Sequence, residues 1–154
     1  MQTDFKIRSA TVADVPEIFN LILALAEYEK LSAQVTGNVE NLQADLFGDR
    51  PCIEVIVAET EENQKIIGYA LFFTNYSTFL TQRGIYLEDL FVLPEYRGQG
   101  IGKSLLRRLI EVAKERGCGR FEWSVLDWNE PAIAFYQHMG AEVLPEWRIC
   151  RISL

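Results

Sequence analysis

This chain of 154 residues has almost no histidine: His138 is the only one. A His-based catalytic triad is therefore hard to assemble, and a two-His metal site is excluded. Cysteine is equally uninformative. Cys52, Cys118 and Cys150 are odd in number and share no CxxC spacing, so neither a disulfide framework nor a zinc site follows. No apolar run approaches the roughly 20 residues that span a bilayer, and the first residues, Met1 to Lys6, carry an acid and no hydrophobic block. The sequence thus predicts a soluble, cytoplasmic protein with no signal peptide and no membrane partner. A basic surplus is also missing. Fifteen Lys and Arg stand against 22 Asp and Glu, a net charge of −7, which argues against nucleic-acid binding and would attract cations such as protonated amines; a charge that serves solubility alone is the plainer alternative. There is no repeat, low-complexity tract or linker, so a single domain over residues 1–154 is expected.

What the chain does have is a core, with 49% apolar residues. Phe5 to Arg8 alternates as a short strand. Thr11 with Asp14 three residues on, and Pro16, open a helix with Val15, Ile18, Ile22, Leu25 and Ala26 at helical spacing, to about Lys30. A shorter helix spans roughly Asn38 to Phe47. Strands are expected over Ile53 to Glu59, Ile66 to Thr74 and Ile85 to Leu93, then a helix from about Ile101 to Arg116 with Gly117 as its left-handed stop. Phe121 to Leu126 reads as a strand, Asn129 to Met139 as a helix, and Glu142 to about Ile152 as a final strand interrupted near Pro145. That order gives a mixed sheet with helices on its faces, an α/β (α+β) domain.

One stretch asks for a ligand. Arg97-Gly98-Gln99-Gly100-Ile101-Gly102 turns from strand into helix on three alternate glycines. It is not a P-loop, which would need glycine at position 97, nor a dinucleotide fingerprint, which would need glycine at position 103. Glycines admit positive φ and close backbone approach, and a helix start carries partial positive charge. Lys103, Arg107 and Arg108 lie in the first two turns, where the helix dipole favours acids. A phosphate or pyrophosphate explains them; a solvated basic face is the plainer alternative.

Together with the preceding Leu90-Phe91-Val92-Leu93-Pro94-Glu95-Tyr96, this turn resembles the coenzyme-A motif of the GNAT superfamily of N-acyltransferases. The likeness extends over nearly the whole chain. Leu25-Ala26-Glu27-Tyr28-Glu29, Tyr86-Leu87-Glu88-Asp89, Asp127-Trp128-Asn129-Glu130-Pro131 and Phe135-Tyr136 are similar to the diamine (spermidine/spermine) branch, and within it to the thialysine N-acetyltransferase group. The resemblance implies acetyl-CoA as co-substrate, with Leu90, Phe91 and Val92 lining pantetheine. Arg97, Gly98, Gln99, Gly100, Ile101, Gly102 and Lys103 would hold the pyrophosphate, and Asn129 would contact the cofactor. It implies Tyr28, Glu29 and Trp147 as substrate contacts, and a homodimer. Polyamine-acting members carry Tyr-Asp-x-Trp before the YLED strand, where this chain reads Tyr76-Ser77-Thr78-Phe79; that favours a smaller amine.

The chemistry fits these residue types. An alkyl ammonium near pKa 10.4 must lose a proton before attacking a thioester, which costs roughly 5 kcal/mol at pH 7. Glu88, on the strand leading to the acyl group, is the candidate that binds the cation and passes its proton on. Strand alternation sends Asp89 to the opposite face. The departing thiolate needs a proton in turn. A tyrosine near pKa 10 can supply it to a thiol near 8.5, and in the family the tyrosine at position 136 is the general acid. The expected reaction is direct acetyl transfer from acetyl-CoA to a primary amine of a small diamine or lysine-like molecule, without a metal. The alternatives are a polyamine or protein amine as acceptor, or a module that senses acyl-CoA without turnover.

Overall fold

The computed structural model describes residues 2–154. The chain falls into two compact units, the first running to Trp123 and the second Ser124–Leu154.

The first unit is a five-stranded sheet in the order β1-β2-β3-β4-β5. Its strands are β1 (Phe5–Ser9), β2 (Glu54–Thr60), β3 (Ile66–Ser77), β4 (Gln82–Val92) and β5 (Arg120–Trp123). Pairing is antiparallel from β1 to β4 and parallel between β4 and β5, the parallel step requiring a crossover helix. That helix is α3 (Ile101–Glu115). Before β2 come α1 (Val15–Tyr28) and α2 (Val39–Phe47).

Alternation divides the core. Val55 and Val57 of β2, Tyr69 and Leu71 of β3, and Phe91 of β4 pack with Val15, Ile18 and Leu21 of α1 and Leu46 of α2. Residues of the opposite parity, Ile56, Ala58, Ala70 and Phe72, are buried as well; α3 contacts β1 through β4 and brings its own buried stripe of Leu105, Leu106 and Leu109. The local signals do what their chemistry predicts. Asn38 caps α2 by accepting from the Asn41 amide at 2.8 Å, and Gly117 follows α3 at φ 69°. The Thr11 amide donates to the Asp14 carboxylate at 2.7 Å.

Asp14 belongs to a buried ion network. The Arg8 guanidinium spans Asp14, at 2.7 and 3.0 Å, and Glu59, whose oxygen receives Nε at 2.9 Å. Arg8 holds both carboxyls below their usual range, and they hold its guanidinium above its own.

The second unit contains α4 (Glu130–His138), capped by Asn129, whose side-chain oxygen accepts from the Ala132 amide at 3.3 Å. The expected strand over Glu142 to Ile152 does not form: among the described residues 141–154 carry no strand. Leu144 accepts from the Trp147 amide in a turn beside Pro145. Trp147, Ile149 and Ile152 are 75%, 70% and 87% exposed. An apolar pattern supplies a face but not a partner, and no ladder pairs this segment's backbone. The strand expected over Phe121 to Leu126 likewise ends at Trp123, where its pairing with Leu87 ends.

Candidate active site

The glycine turn has the shape the sequence suggests. After β4, a 3-10 turn over Pro94–Tyr96 leads into Gly98 at φ 77° and Gly100 at φ 82°, the latter serving as N-cap of α3. Among the described residues, the amides of Gly98 to Lys103 donate no hydrogen bond. A helix start always leaves its first amides unbonded, and this loop extends the run. The Gln99 side chain is occupied elsewhere, accepting from the Thr3 amide at 2.6 Å. Ser104 Oγ donates back to the Gly100 carbonyl at 2.9 Å.

The strand before the loop is open on one side. β3–β4 pairing has an irregularity where Leu71 faces Asp89 and Phe72 faces Leu87, which leaves Glu88 as the extra residue of a β-bulge. β5 pairs β4 only from Gly84 to Leu87. Among the described residues of the first unit, β3 is the only strand that pairs the backbone from Glu88 to Val92, and the Val92 carbonyl also accepts from the Arg97 side chain. Phe91 and Val92 are buried, so what they offer a ligand on that edge is their backbone.

The bulge also alters the expected separation of the two acids. Asp89 shares a face with Leu71 and Tyr69, and the buried Tyr69 hydroxyl donates to its Oδ2 at 2.9 Å. Burial pushes the Asp89 carboxyl up to about 6, and the charges of Glu88 and Glu29 push the same way, against the Tyr69 hydrogen bond. Glu29, just past the end of α1, is raised by burial, and Tyr69 is held well above its ordinary value by burial and by Asp89. Glu88 itself is exposed. Simple alternation sets Asp89 apart from this group; the extra residue at position 88 breaks that alternation, and the charges of Glu88 and Glu29 reach Asp89. Nothing local in the sequence signals the bulge, and Asp89 is the acid that sequence reasoning leaves out of the site.

Tyr28, the last residue of α1, stacks on Arg97, with the guanidinium carbon 4.7 Å from the ring centroid. The first unit therefore brings together Tyr28, Glu29, Glu88, Phe91, Arg97 and the glycine turn. Ser77, where polyamine-acting relatives were expected to carry an acid, is buried and serves the β3–β4 turn by accepting from the Leu80 amide at 3.2 Å. Asn129, Tyr136 and Trp147 lie in the second unit. There Tyr136, on α4, packs against Phe135 with ring centroids 5.5 Å apart, and Asn129 is buried as the helix cap.

A groove of about 490 Å³ lies elsewhere, at the β1–β2 end of the sheet, lined in part by Ser9, Phe47, Glu54, Phe72, Arg108 and Arg116. Its cations are already paired, Arg116 bidentate to Glu54 at 2.7 and 2.8 Å and Arg108 to Glu111 and Glu115. Arg108, one of the cations that the sequence suggested for a phosphate, lies here instead and is engaged by its own helix's acids. Among the described residues no helix is long and apolar enough to cross a membrane, and no three His, Cys, Asp or Glu side chains gather where a metal ion would bind.

Comparison with known proteins supplies the context. The model of the acetyltransferase (GNAT) family matches residues 18–141. The thialysine N-epsilon-acetyltransferase of Mus musculus is 43% identical over 147 residues, covering 92% of this chain and 86% of that protein. The L-ornithine N5-acetyltransferase of Arabidopsis thaliana is 34% identical over 191 residues, covering 96% and 84%. Among solved structures, an acetyltransferase of Trypanosoma brucei superposes with a TM-score of 0.75 at 25% identity, covering 98% of this chain and all of that one.

Proposed function

Because this chain belongs to the acetyltransferase (GNAT) family, we propose that it transfers an acetyl group from acetyl-CoA to the primary amine of a small lysine-like molecule or diamine of the thialysine type. The observation that carries the donor side is the glycine turn: positive φ at Gly98 and Gly100 and a run of undonated amides from Gly98 to Lys103 running into α3. A pyrophosphate is what such a nest of N–H groups binds. The one-sided backbone of Leu90, Phe91 and Val92 suits pairing with the amides of a pantetheine arm. Acetyl-CoA would supply the acyl group as a reactive thioester.

The acceptor side rests on the chain's own acids. Glu88, Asp89 and Glu29 supply negative charge for a protonated amine, and Tyr28 an aromatic wall. Glu88 is the group assigned to take the amine's proton, directly or through water. Tyr136 is assigned as the acid that protonates the leaving thiolate, Asn129 as a cofactor contact, and Trp147 as part of the amine pocket; these three assignments rest on the family resemblance. The names of the thialysine and ornithine relatives, and the engagement of Ser77 in a turn, favour a small amine over a polyamine. The reading carries with it a homodimer in the cytoplasm.

The test is thiol release from acetyl-CoA with thialysine, lysine, ornithine, short diamines, spermidine and a lysine peptide, using wild type and Tyr136→Phe. Turnover is expected with a small amine, and the variant should lose about 10²-fold or more in kcat. CoA binding with no turnover across the panel would instead support the acyl-CoA-sensing alternative.

A further inference from the structure

Arg97 makes an unusual set of contacts for a loop arginine. Its Nε donates to the Val92 carbonyl at 2.8 Å. Its guanidinium carbon lies 4.7 Å from the Tyr28 ring centroid and 5.2 Å from that of Phe91. In a chain of net charge −7, it forms no salt bridge among the described residues. What holds it is two aromatic rings and one carbonyl, a setting that uses the planarity of guanidinium and that an ammonium cannot reproduce.

These contacts join three separate parts of the first unit. Arg97 begins the glycine turn; Phe91 and Val92 belong to β4; Tyr28 closes α1. Phe91 sits opposite Tyr69 in the β3–β4 register, and Tyr69 holds Asp89. The circuit returns to α1 through Glu29, whose charge acts on Asp89. The end of α1 is itself a strained stop. Lys30, not glycine, takes φ 62° there, while the Leu31 amide reaches the Ala26 carbonyl at 2.8 Å and the Lys30 amide reaches Glu27 at 3.1 Å. A non-glycine residue in that region persists where its surroundings over-determine it, and the Tyr28–Arg97 stack is one such constraint.

We infer that Arg97 is a positioning residue for the acceptor amine: clamped between β4 and Tyr28, it makes the Glu29 end of α1 rigid together with the glycine turn. An anion seated on the turn then orders the acidic end of α1, and by linkage the amine favours the donor in return. The consequence for catalysis rests on the acyltransferase reading above; the clamp itself does not.

Hydrogen exchange at the amides of Glu29, Lys30 and Leu31, in wild type and Arg97→Lys, each with and without CoA, separates the two. The lysine variant keeps the charge and loses the planar stack and the Nε bond. Without ligand, these amides should exchange roughly 10-fold faster in the variant. In wild type CoA should slow them further, and in the variant it should not, even where CoA still protects the glycine turn. In steady state the amine KM should rise about 10-fold, and by a larger factor than the acetyl-CoA KM, a split that general loss of folded protein would not give. Equal exchange in the two unliganded proteins would overturn the clamp. Equal amine KM values would overturn its role in positioning. Failure of wild type to bind CoA would sink the acyltransferase reading, and the unliganded comparison would still decide on the clamp.

Discussion

Tyr69 and Asp89 sit diagonally across the β3–β4 ladder, and the phenol donates to the carboxylate at 2.9 Å under the end of α1. Burial, with Glu88 and Glu29, moves the carboxyl up to about 6. A folded-state value above the unfolded one means that the fold prefers the neutral acid. That contribution is complete below about pH 4 and gone above about pH 6.

Asp89→Asn keeps an acceptor for Tyr69 and removes the charge. It should stabilise the protein above pH 6 by about 2 kcal/mol relative to its effect at pH 4. Urea unfolding of both proteins at pH 4 and pH 7.5 measures the difference, and parallel curves at the two pH values would contradict it. If Asp89 also draws the amine, the same variant should raise the amine KM.

The Arg8 network has the opposite sign. Asp14 and Glu59 are held below their usual range, so their contribution is present above about pH 4 and is lost as pH falls through their folded values. Arg8→Met leaves Asp14 without its cation and Glu59 with only Lys6, 3.5 Å away, and should cost about 3 kcal/mol at pH 7. The penalty should shrink at pH 3, where the acids accept protons instead.

Thr81 holds φ 49° at the β3–β4 turn, a conformation that a β-branched side chain resists. Thr81→Asn, with a residue that tolerates this region, should raise the melting temperature by about 2–4 °C. Activity should not change, and a lower melting temperature would refute the account.

Gly100 caps α3 at φ 82°. Gly100→Ala should cost about 1–2 kcal/mol. If the turn seats the pyrophosphate, the acetyl-CoA KM should rise well beyond the amine KM, which two-substrate kinetics resolves.

Much of this was written locally. Asn38, Thr11 with Asp14, and Gly117 mark helix ends through their own chemistry, and the three glycines announce a turn whatever the rest of the chain does. What could not be read were features decided by a partner strand. The bulge at Glu88 arises because β3 and β4 differ in residue count between paired positions, and that bulge put Asp89 with Glu29. The same dependence explains residues 142–152, where an apolar pattern forms no ladder. The ring stack on Arg97 was hidden for another reason: Tyr28 and Arg97 are far apart in sequence, and a charged loop residue gives no signal that it prefers aromatic faces to an anion.

The glycine turn carries one more consequence. At Gly98 and Gly100 an added Cβ would meet no atom within 4 Å, so room is not what bars other residues. Handedness is. With φ of 77° and 82°, both positions suit an amino acid of the opposite chirality, for which positive φ is the relaxed state. A semisynthetic chain with D-alanine at either position would keep the turn while narrowing the conformations open to its unfolded form. At these two positions the turn is demanding about chirality and has room for one methyl group.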